Sequence, residues 1–527
     1  MVSPDVPQRV AWSQRVGAAC AAGLLSAVLC AGALSNDFSW DDQDWLTREG
    51  RGCASGVASC FSGYQLKAYR RPVTAVTFEL HAALTESRSA FGYHLESLLL
   101  RALVTAAGVL LLTSLFPLRA ALVGAAVWVS HPVLATGTAW LGARPDLLAT
   151  LGLTTCLWGL QEFFTAQRRG WLVASVGGLV FAALSKEQAL MGALACVALG
   201  WARASSTRQR IGLSVLYLGL ALGLGALVFP RSVAVVSTGW SLGEAAGVVV
   251  ATAALYARVL LLPEGSLLHT FLLPTPTVSL VALTIAASGL FGWWCWRARR
   301  DAVLRVGVVW VAATLLPVLN LTPMASMFFA AYRGTLAVGG VAWCVAALWA
   351  SAGELPRRAL LAVGVGFALL AAMTALEVGE WATADLASVA ALEATPENLY
   401  DRKLLVERLD ARGQKREALE LLDEGLALFL GQTPATPQAL AALSPAELKS
   451  RALKTYKPAL AGSMRIELAT LLIEKGSLHD DLQQYAEAED AFRAAMSLQE
   501  HALVRRRLEA LEAARREGRV PPPAEVR

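Results

Sequence analysis

Apolar runs of about twenty residues follow one another through the first 380 residues of this 527-residue chain. A run of that length crosses the hydrocarbon layer as a helix, and inside a bilayer a helix satisfies its own backbone polar groups. The runs fall near 14–34, 95–116, 119–138, 145–164, 171–184, 188–202, 211–229, 244–262, 277–296, 302–319, 330–350 and 358–378. Charged residues make up 17% of the chain and hydrophobic ones 55%, whereas soluble domains carry about 25% charged residues. The expected fold class is therefore all-α: a polytopic membrane bundle over 1–380, followed by a soluble helical domain over 385–516 and a disordered tail over 517–527.

Arginine placement orients the bundle. Arg9/Arg15, Arg119, Arg168/Arg169, Arg203/Arg208/Arg210, Arg297/Arg299/Arg300 and Arg357/Arg358 read as cytoplasmic. The loops 35–94, 139–144, 185–187, 230–276 and 320–329 then face outward. Parity fails unless 244–262 is interfacial or re-entrant, and Arg258 within it is costly at mid-bilayer. About eleven spans remain, with the N-terminus inside and the C-terminal domain outside. The first run is longer than a signal-peptide core and is expected to be retained, although its Ala-Gly-Ala ending mimics a cleavage site. The net charge of +5 is modest, and the basic residues sit beside helix ends. They read as topology signals, not as contacts to nucleic acid.

Of eight cysteines, Cys20, Cys30, Cys156, Cys196, Cys295 and Cys344 lie in or beside apolar runs and read as packing residues. Cys53 and Cys60 share the first outward loop. They are either a disulfide, if that side is oxidising, or two free thiols.

Beyond residue 385 the chain becomes charged, alanine- and leucine-rich helix. Arg402-Lys403-Leu404-Leu405 through Gly413, then Glu417-Ala418-Leu419 and Ala427-Leu428, has a helix-turn-helix rhythm. It returns as Leu468-Ala469 through Gly476, then Tyr485, Ala486-Glu487-Ala488 and Ala491-Phe492. The offset is about two 34-residue periods, which fits tetratricopeptide repeats with a degenerate unit between, or else a generic bundle of helical hairpins. Pro521-Pro522-Pro523 marks a frayed end.

Charged clusters stand against helix ends on the outward side. Asp41 and Asp42 follow the first span. They are candidates for a general base or a metal pair, or for a solvated helix cap. Arg71, beside Arg70 and before Pro72, can grip phosphate bidentately or snorkel at the interface. Pro72 fixes the entry to a following helix. His131-Pro132-Val133 leads to Trp140 and to Arg144 and Asp146, which bracket a helix start. Lys186-Glu187 lies between two short helices, in a turn expected to be recessed into the membrane, either as a functional pair or as a structural salt bridge. Arg333 opens a late helix, after Pro317, Asn320 and Pro323, where it can meet an anionic headgroup.

Taken in order, these motifs resemble the GT-C superfamily of membrane glycosyltransferases, in the transmembrane and tetratricopeptide-repeat O-mannosyltransferase type. The resemblance rests on Trp40-Asp41-Asp42, Arg71-Pro72-Val73, Gly92-Tyr93-His94-Leu95, His131-Pro132-Val133 with Ala139-Trp140, Gly142 with Arg144 and Asp146-Leu147-Leu148-Ala149, Ser185-Lys186-Glu187-Gln188, Pro317 with Asn320-Leu321, and the terminal repeats. It implies an inverting transferase that takes a sugar, mannose among the candidates, from a polyprenyl-phosphate donor. Asp41 or Asp42 would act as base or acceptor positioner. Arg71, His131, Arg144, Asp146, Lys186, Glu187 and Arg333 would hold the donor phosphate and substrate. The repeats would present a protein or glycan acceptor, protein Ser/Thr among them. The lipid-linked sugar is the donor substrate, and no metal or other cofactor is implied. The chain departs from the pattern at Thr136, where Glu is frequent, and at Ala331-Tyr332-Arg333, where Glu-Arg-Tyr is frequent. It departs again at Arg70, Ser97 and Arg101, in place of Tyr, Asn and His.

Two other readings compete: an inactive relative that scaffolds protein or glycan through its repeats, and a transporter. A transporter shows related halves and polar residues at mid-span, and neither is visible here. The alanine- and arginine-rich composition and the lack of an ER-retention tail point to a bacterial inner membrane, with the repeats in the periplasm.

Overall fold

The computed structural model describes residues 10–40, 42–65, 70–85, 89–229, 242–263, 278–321, 329–353, 356–396, 398–430, 436–443 and 464–517. Among them every regular element is helical and no strand forms. The principal helices of the apolar part are α1 (Trp12–Leu29), α2 (Pro72–Thr85), α3 (Ala90–Leu115), α4 (Leu118–Ser130), α5 (Val133–Ala139), α6 (Arg144–Ala166) and α7 (Arg169–Ser185). They continue as α8 (Gly192–Arg203), α9 (Thr207–Val228), α10 (Leu242–Leu261), α11 (Val278–Ala298), α12 (Ala302–Leu315), α13 (Thr335–Ser351) and α14 (Arg357–Glu380).

Among the described residues five helices are long and apolar enough to cross a membrane: Ala90–Leu115, Leu141–Ala166, Thr207–Val228, Ala331–Ser351 and Arg357–Glu380. The pair α4 and α5, bent by 49°, makes a sixth if it is one broken span. Pro132 sits at that bend and has no N–H with which to continue the ladder. Several other helices are shorter than the apolar runs that contain them. The run 188–202 opens with a 3-10 turn, Glu187–Met191, and its α-helix starts only at Gly192. The run 302–319 ends in a second 3-10 turn, Leu316–Val318, where Pro317 interrupts the α-helical pattern. The segment expected to re-enter is the helix α10, in which Arg258 is buried.

Small residues set the closest helix approaches. A side chain at Gly152 would stand 2.7 Å from the backbone nitrogen of Ala182, and one at Gly178 would stand 2.7 Å from that of Cys156. These glycines let α6 and α7 meet backbone to backbone, as helices do where lipid gives no hydrophobic drive to associate. Elsewhere glycine makes room for a large ring: Trp128 lies over Gly108 and Trp310 over Gly339. Both indoles are fully buried in the main core.

After Trp381 the chain turns polar. The helices are α15 (Ala384–Ala394), α16 (Leu399–Ala411), α17 (Lys415–Leu430), α18 (Met464–Asp481), α19 (Tyr485–Leu498) and α20 (Ala502–Arg516). Two hairpins, α16–α17 and α18–α19, turn in the same way. Gly413 and Gln483 both take positive φ, at 77° and 59°. In each case the next N–H reaches back to close the preceding helix, Gln414 to the carbonyl of Leu409 and Gln484 to that of His479. Gly476 is not a turn residue. It lies inside α18 under the Phe492 ring, where a side chain would stand 2.5 Å from the ring edge. The proline-rich tail lies outside the described residues.

One carboxylate between these hairpins titrates unusually. Burial, followed by repulsion from Glu407, pushes Glu474 up to about 7 against the pull of Lys403, and its Oε2 is buried with no hydrogen-bond partner. An unfolded glutamate titrates near about 4.3. The folded state therefore holds this proton to higher pH than the unfolded chain does, and stability rises as pH falls between those two values. The melting midpoint of the full-length protein is expected to be higher at about pH 5.5 than at about pH 8. Glu474→Gln should flatten that difference, and an unchanged difference would assign it to other groups.

Candidate active site

The loop after α1 is fastened at its start. The Asn36 side-chain amide donates to the carbonyls of Val378 at 3.2 Å and Ala139 at 3.4 Å. The Asp37 N–H donates to the carbonyl of Ala382 at 2.9 Å. Trp40, the residue before the acid pair, has φ 47°, a conformation that a bulky side chain seldom adopts. Its indole is wedged edge-on between Trp140 at 5.2 Å and Trp381 at 4.9 Å. Trp140 stacks on Trp381 at 5.3 Å and meets Tyr332 edge-on at 5.1 Å. Four aromatic rings from four separate segments thus close one end of the bundle.

Asp42 is fully buried. Its Oδ2 accepts from the Ser39 N–H at 2.9 Å and its Oδ1 from the Gly142 N–H at 2.9 Å. That geometry makes Asp42 a latch between the first loop and the segment before α6. A solvent-facing acid is not what the structure gives at this position. Asp41 lies outside the described residues.

Three of the basic residues expected to meet phosphate, Arg71, Lys186 and Arg144, are each paired with an acid. Arg71, at the start of α2, grips Glu187 bidentately, Nε to Oε2 at 2.9 Å and Nη2 to Oε1 at 2.7 Å. Lys186 donates to both oxygens of Asp146 at 2.6 Å and lies 5.3 Å from the Tyr332 ring centre. Pro72 opens α2, and Thr74 one turn on donates to the carbonyl of Ser185 at 3.0 Å, docking α2 against the Lys186 turn. Gln188 donates to the carbonyl of Arg333 at 2.8 Å, which joins the late loop to the same turn. The Arg333 guanidinium lies 6.0 Å from the Tyr332 ring centre. Pro323 lies outside the described residues.

Arg144 is buried and fully engaged. It donates to Glu96 at 3.1 Å, to Ser97 at 3.2 Å and to the carbonyl of Tyr93 at 2.8 Å, and it lies 4.2 Å from the Phe78 ring centre. His131 serves the backbone instead. Its Nδ1 accepts from the Val133 N–H at 3.3 Å, which leaves Nε2–H to donate to the carbonyl of Leu260 at 3.1 Å. Cys53 and Cys60 form a disulfide in the first loop. The structure therefore gathers Arg71, Asp146, Lys186, Glu187, Arg144 and Asp42 at one end of the bundle with Tyr332 and Arg333, and it turns His131 to another task.

Three contributors, Glu377, Glu96 and His81, were not visible in the sequence. Glu377, buried near the end of α14, accepts from Thr136 at 2.9 Å and from the Trp381 indole at 2.9 Å. A carboxylate thus stands beside Thr136, the position where the resemblance expects glutamate, but it comes from another helix. Glu96 lies one residue beyond the Gly92-Tyr93-His94-Leu95 motif, and His81 of α2 is 2.7 Å from it. At Arg101, where the resemblance expects histidine, the guanidinium donates to Ser26 and to the carbonyl of Val129, both at 2.9 Å, and ties α3 to α1 and α4. Among the described residues no three His, Cys, Asp or Glu side chains are grouped so as to hold a metal ion.

No protein-family model, no curated protein and no solved structure matches the chain.

Proposed function

We propose that this protein is an inverting membrane glycosyltransferase of the GT-C type, which moves a sugar from a polyprenyl-phosphate donor to an acceptor on the outward side. The observation that carries this reading is the convergence of Arg71, Lys186 and Arg144 at the end of the bundle that holds the acid-bearing loop. A sugar transferred from a phosphate passes through an oxocarbenium-like state, and the departing phosphate needs fixed cationic donors. Arg71 is the most exposed of the three donors, at 10% of its side chain against 7% for Lys186 and 2% for Arg144, so a lipid phosphate can compete for its guanidinium. In this reading the membrane part has about eleven spans, its N-terminus is cytoplasmic, and the hairpins α16–α19 are tetratricopeptide-like repeats that present a protein or glycan acceptor. A bacterial inner membrane suits the composition.

A second reading has support in one observation. Both oxygens of Asp42 are taken by backbone donors, and Arg71, Lys186 and Arg144 are each neutralised by an acid. A scaffold that binds protein or glycan through its repeats would need no more than such a closed network.

Sugar transfer by the purified full-length protein separates the two. A panel of radiolabelled polyprenyl-phosphate sugars would be supplied, with membrane extract as acceptor. Asp41→Asn is expected to lower transfer by about 100-fold or more at unchanged elution and melting. Asp42→Asn, which keeps one acceptor oxygen for the latch, should lose less. No transfer from any donor would favour the scaffold, and transfer indifferent to both acids would move the catalytic groups away from this pair.

A further inference from the structure

Among the carboxylates described at this end of the bundle, Asp37, Asp44 and Glu49 of the first loop are exposed, and Glu96 is half open and held by two buried side chains. Asp42 is fully buried, Asp146 keeps 1% side-chain exposure, Glu79 6% and Glu187 22%, whereas Glu96 keeps 41%. Glu96 lies in the second turn of α3. On one flank is the exposed apolar stripe Phe91, Leu95, Leu99 and Leu103, the face a bilayer would cover. On the other are the buried His94, Ser97 and Arg101. Glu96 thus stands between that stripe and the buried face, partly open.

Its carboxylate is also aimed. Oε1 lies 2.7 Å from His81 Nδ1, and Oε2 accepts from Arg144 Nη1 at 3.1 Å. Neither partner can swing away. Arg144 is held by Ser97, the Tyr93 carbonyl and the Phe78 ring. The His81 ring lies 3.8 Å from the Tyr93 ring centre, and Gly92 leaves so little room beside it that a side chain there would stand 2.7 Å from Cε1. His81 Nε2 is buried without a partner, so a neutral ring is best satisfied with its proton on Nδ1, donated to Glu96. The remaining charges nearby are Asp42, which acts on Arg144, Asp37, which acts on His94, and Arg48 and Arg51, both paired with Glu79.

We propose that Glu96 is the general base of the transfer proposed above, with Asp41 left as the acceptor positioner and His81 and Arg144 as the positioning residues that aim the base. This rests on the transferase reading. Glu96 takes the proton from the acceptor hydroxyl while that oxygen forms its bond to the anomeric carbon of the sugar. The bond from that carbon to the phosphate oxygen breaks, and its electron pair leaves with the polyprenyl phosphate. Glu96 then returns its proton to water, so the net change is transfer of the sugar and release of one proton. Arg144 and His81 keep the carboxylate's position fixed between the two substrates, which is what makes a general base effective.

The test uses the full-length protein and the same polyprenyl-phosphate sugar panel, with initial rates measured across pH. Glu96→Gln is expected to lower kcat by about 100-fold or more, with little change in donor KM, and to abolish the loss of rate on acidification. His81→Phe should lower kcat by about 10-fold and displace that loss, and His81→Asn, which keeps a donor towards Glu96, should restore most of it. Retention of wild-type kcat and pH dependence by Glu96→Gln would overturn the assignment. If Glu96→Gln does not fold because Arg144 has lost its acid, His81→Phe decides, since the Arg144–Glu96 pair survives in it; an undisplaced pH dependence there sinks the proposal. A wild-type protein inactive with every donor removes the transferase reading and Glu96 with it. An active wild type indifferent to Glu96 removes this inference alone.

Discussion

Lys186→Met is expected to lower the stability of the full-length protein by roughly 3–5 kcal/mol, the cost of breaking a buried ion pair from one side. Lys186 and Asp146 keep 7% and 1% side-chain exposure, so water replaces neither partner. With the ammonium gone, Asp146 must either stay charged in a dry site or take up a proton, and uptake of the proton caps the loss. Asp146→Asn should cost a comparable amount, since it strands the lysine. The double variant Lys186→Met/Asp146→Leu removes both charges and should recover most of the stability, because apolar residues of similar volume commonly replace a buried pair without loss. Thermal unfolding of the four proteins in one detergent makes the comparison. Additive losses in the double variant would show that the two side chains do not act as a pair. Transfer activity, if the proposed function holds, should stay absent in the double variant even where stability returns.

Adjacent glycines in α7 should respond with opposite signs. Gly178→Ala places a methyl group 2.7 Å from the Cys156 nitrogen and from the Gly152 carbonyl oxygen. Those neighbours are backbone, so α6 and α7 must move apart, at about 1–3 kcal/mol for the methyl and more for a larger side chain. Gly177 has nothing within 4 Å of the same position. Gly177→Ala should leave the protein unchanged or more stable by roughly 0.5–1 kcal/mol, because alanine loses less backbone freedom on entering a helix. Melting midpoints and the folded fraction on size exclusion read both. Equal responses would mean that the α6–α7 approach is looser than the structure has it.

The sequence carried the helical class in the length of its apolar runs, and the change of character near residue 385 in its charge. It carried less about where helices stop inside a run. Pro132 and Pro317 each mark an interruption, yet hydropathy reads straight through them, so runs near span length contain the bent α4–α5 pair and the short α12. The candidate site was legible residue by residue but not as pairs. Arg71 and Glu187 stand 116 positions apart and Thr136 and Glu377 stand 241 apart, and periodicity cannot report such meetings. Asp42 shows the limit most clearly. Its partner at Gly142 is a backbone N–H, and every residue but proline has one, so no side-chain pattern announces that the acid is already engaged.

The clamp from Asn36 and Asp37 to Val378 and Ala382 has a consequence for biosynthesis. Asn36 is made 342 residues before Val378. At ribosomal speeds of about 5–20 residues per second, that interval is roughly 20–70 s. Throughout it the loop lacks the Val378 and Ala382 carbonyls, and Trp40 lacks the Trp381 indole against which it is wedged. This end of the bundle therefore closes last, after nearly all the apolar helices have been made. A nascent chain released before residue 378 would carry the helices but could not seal the loop that joins them.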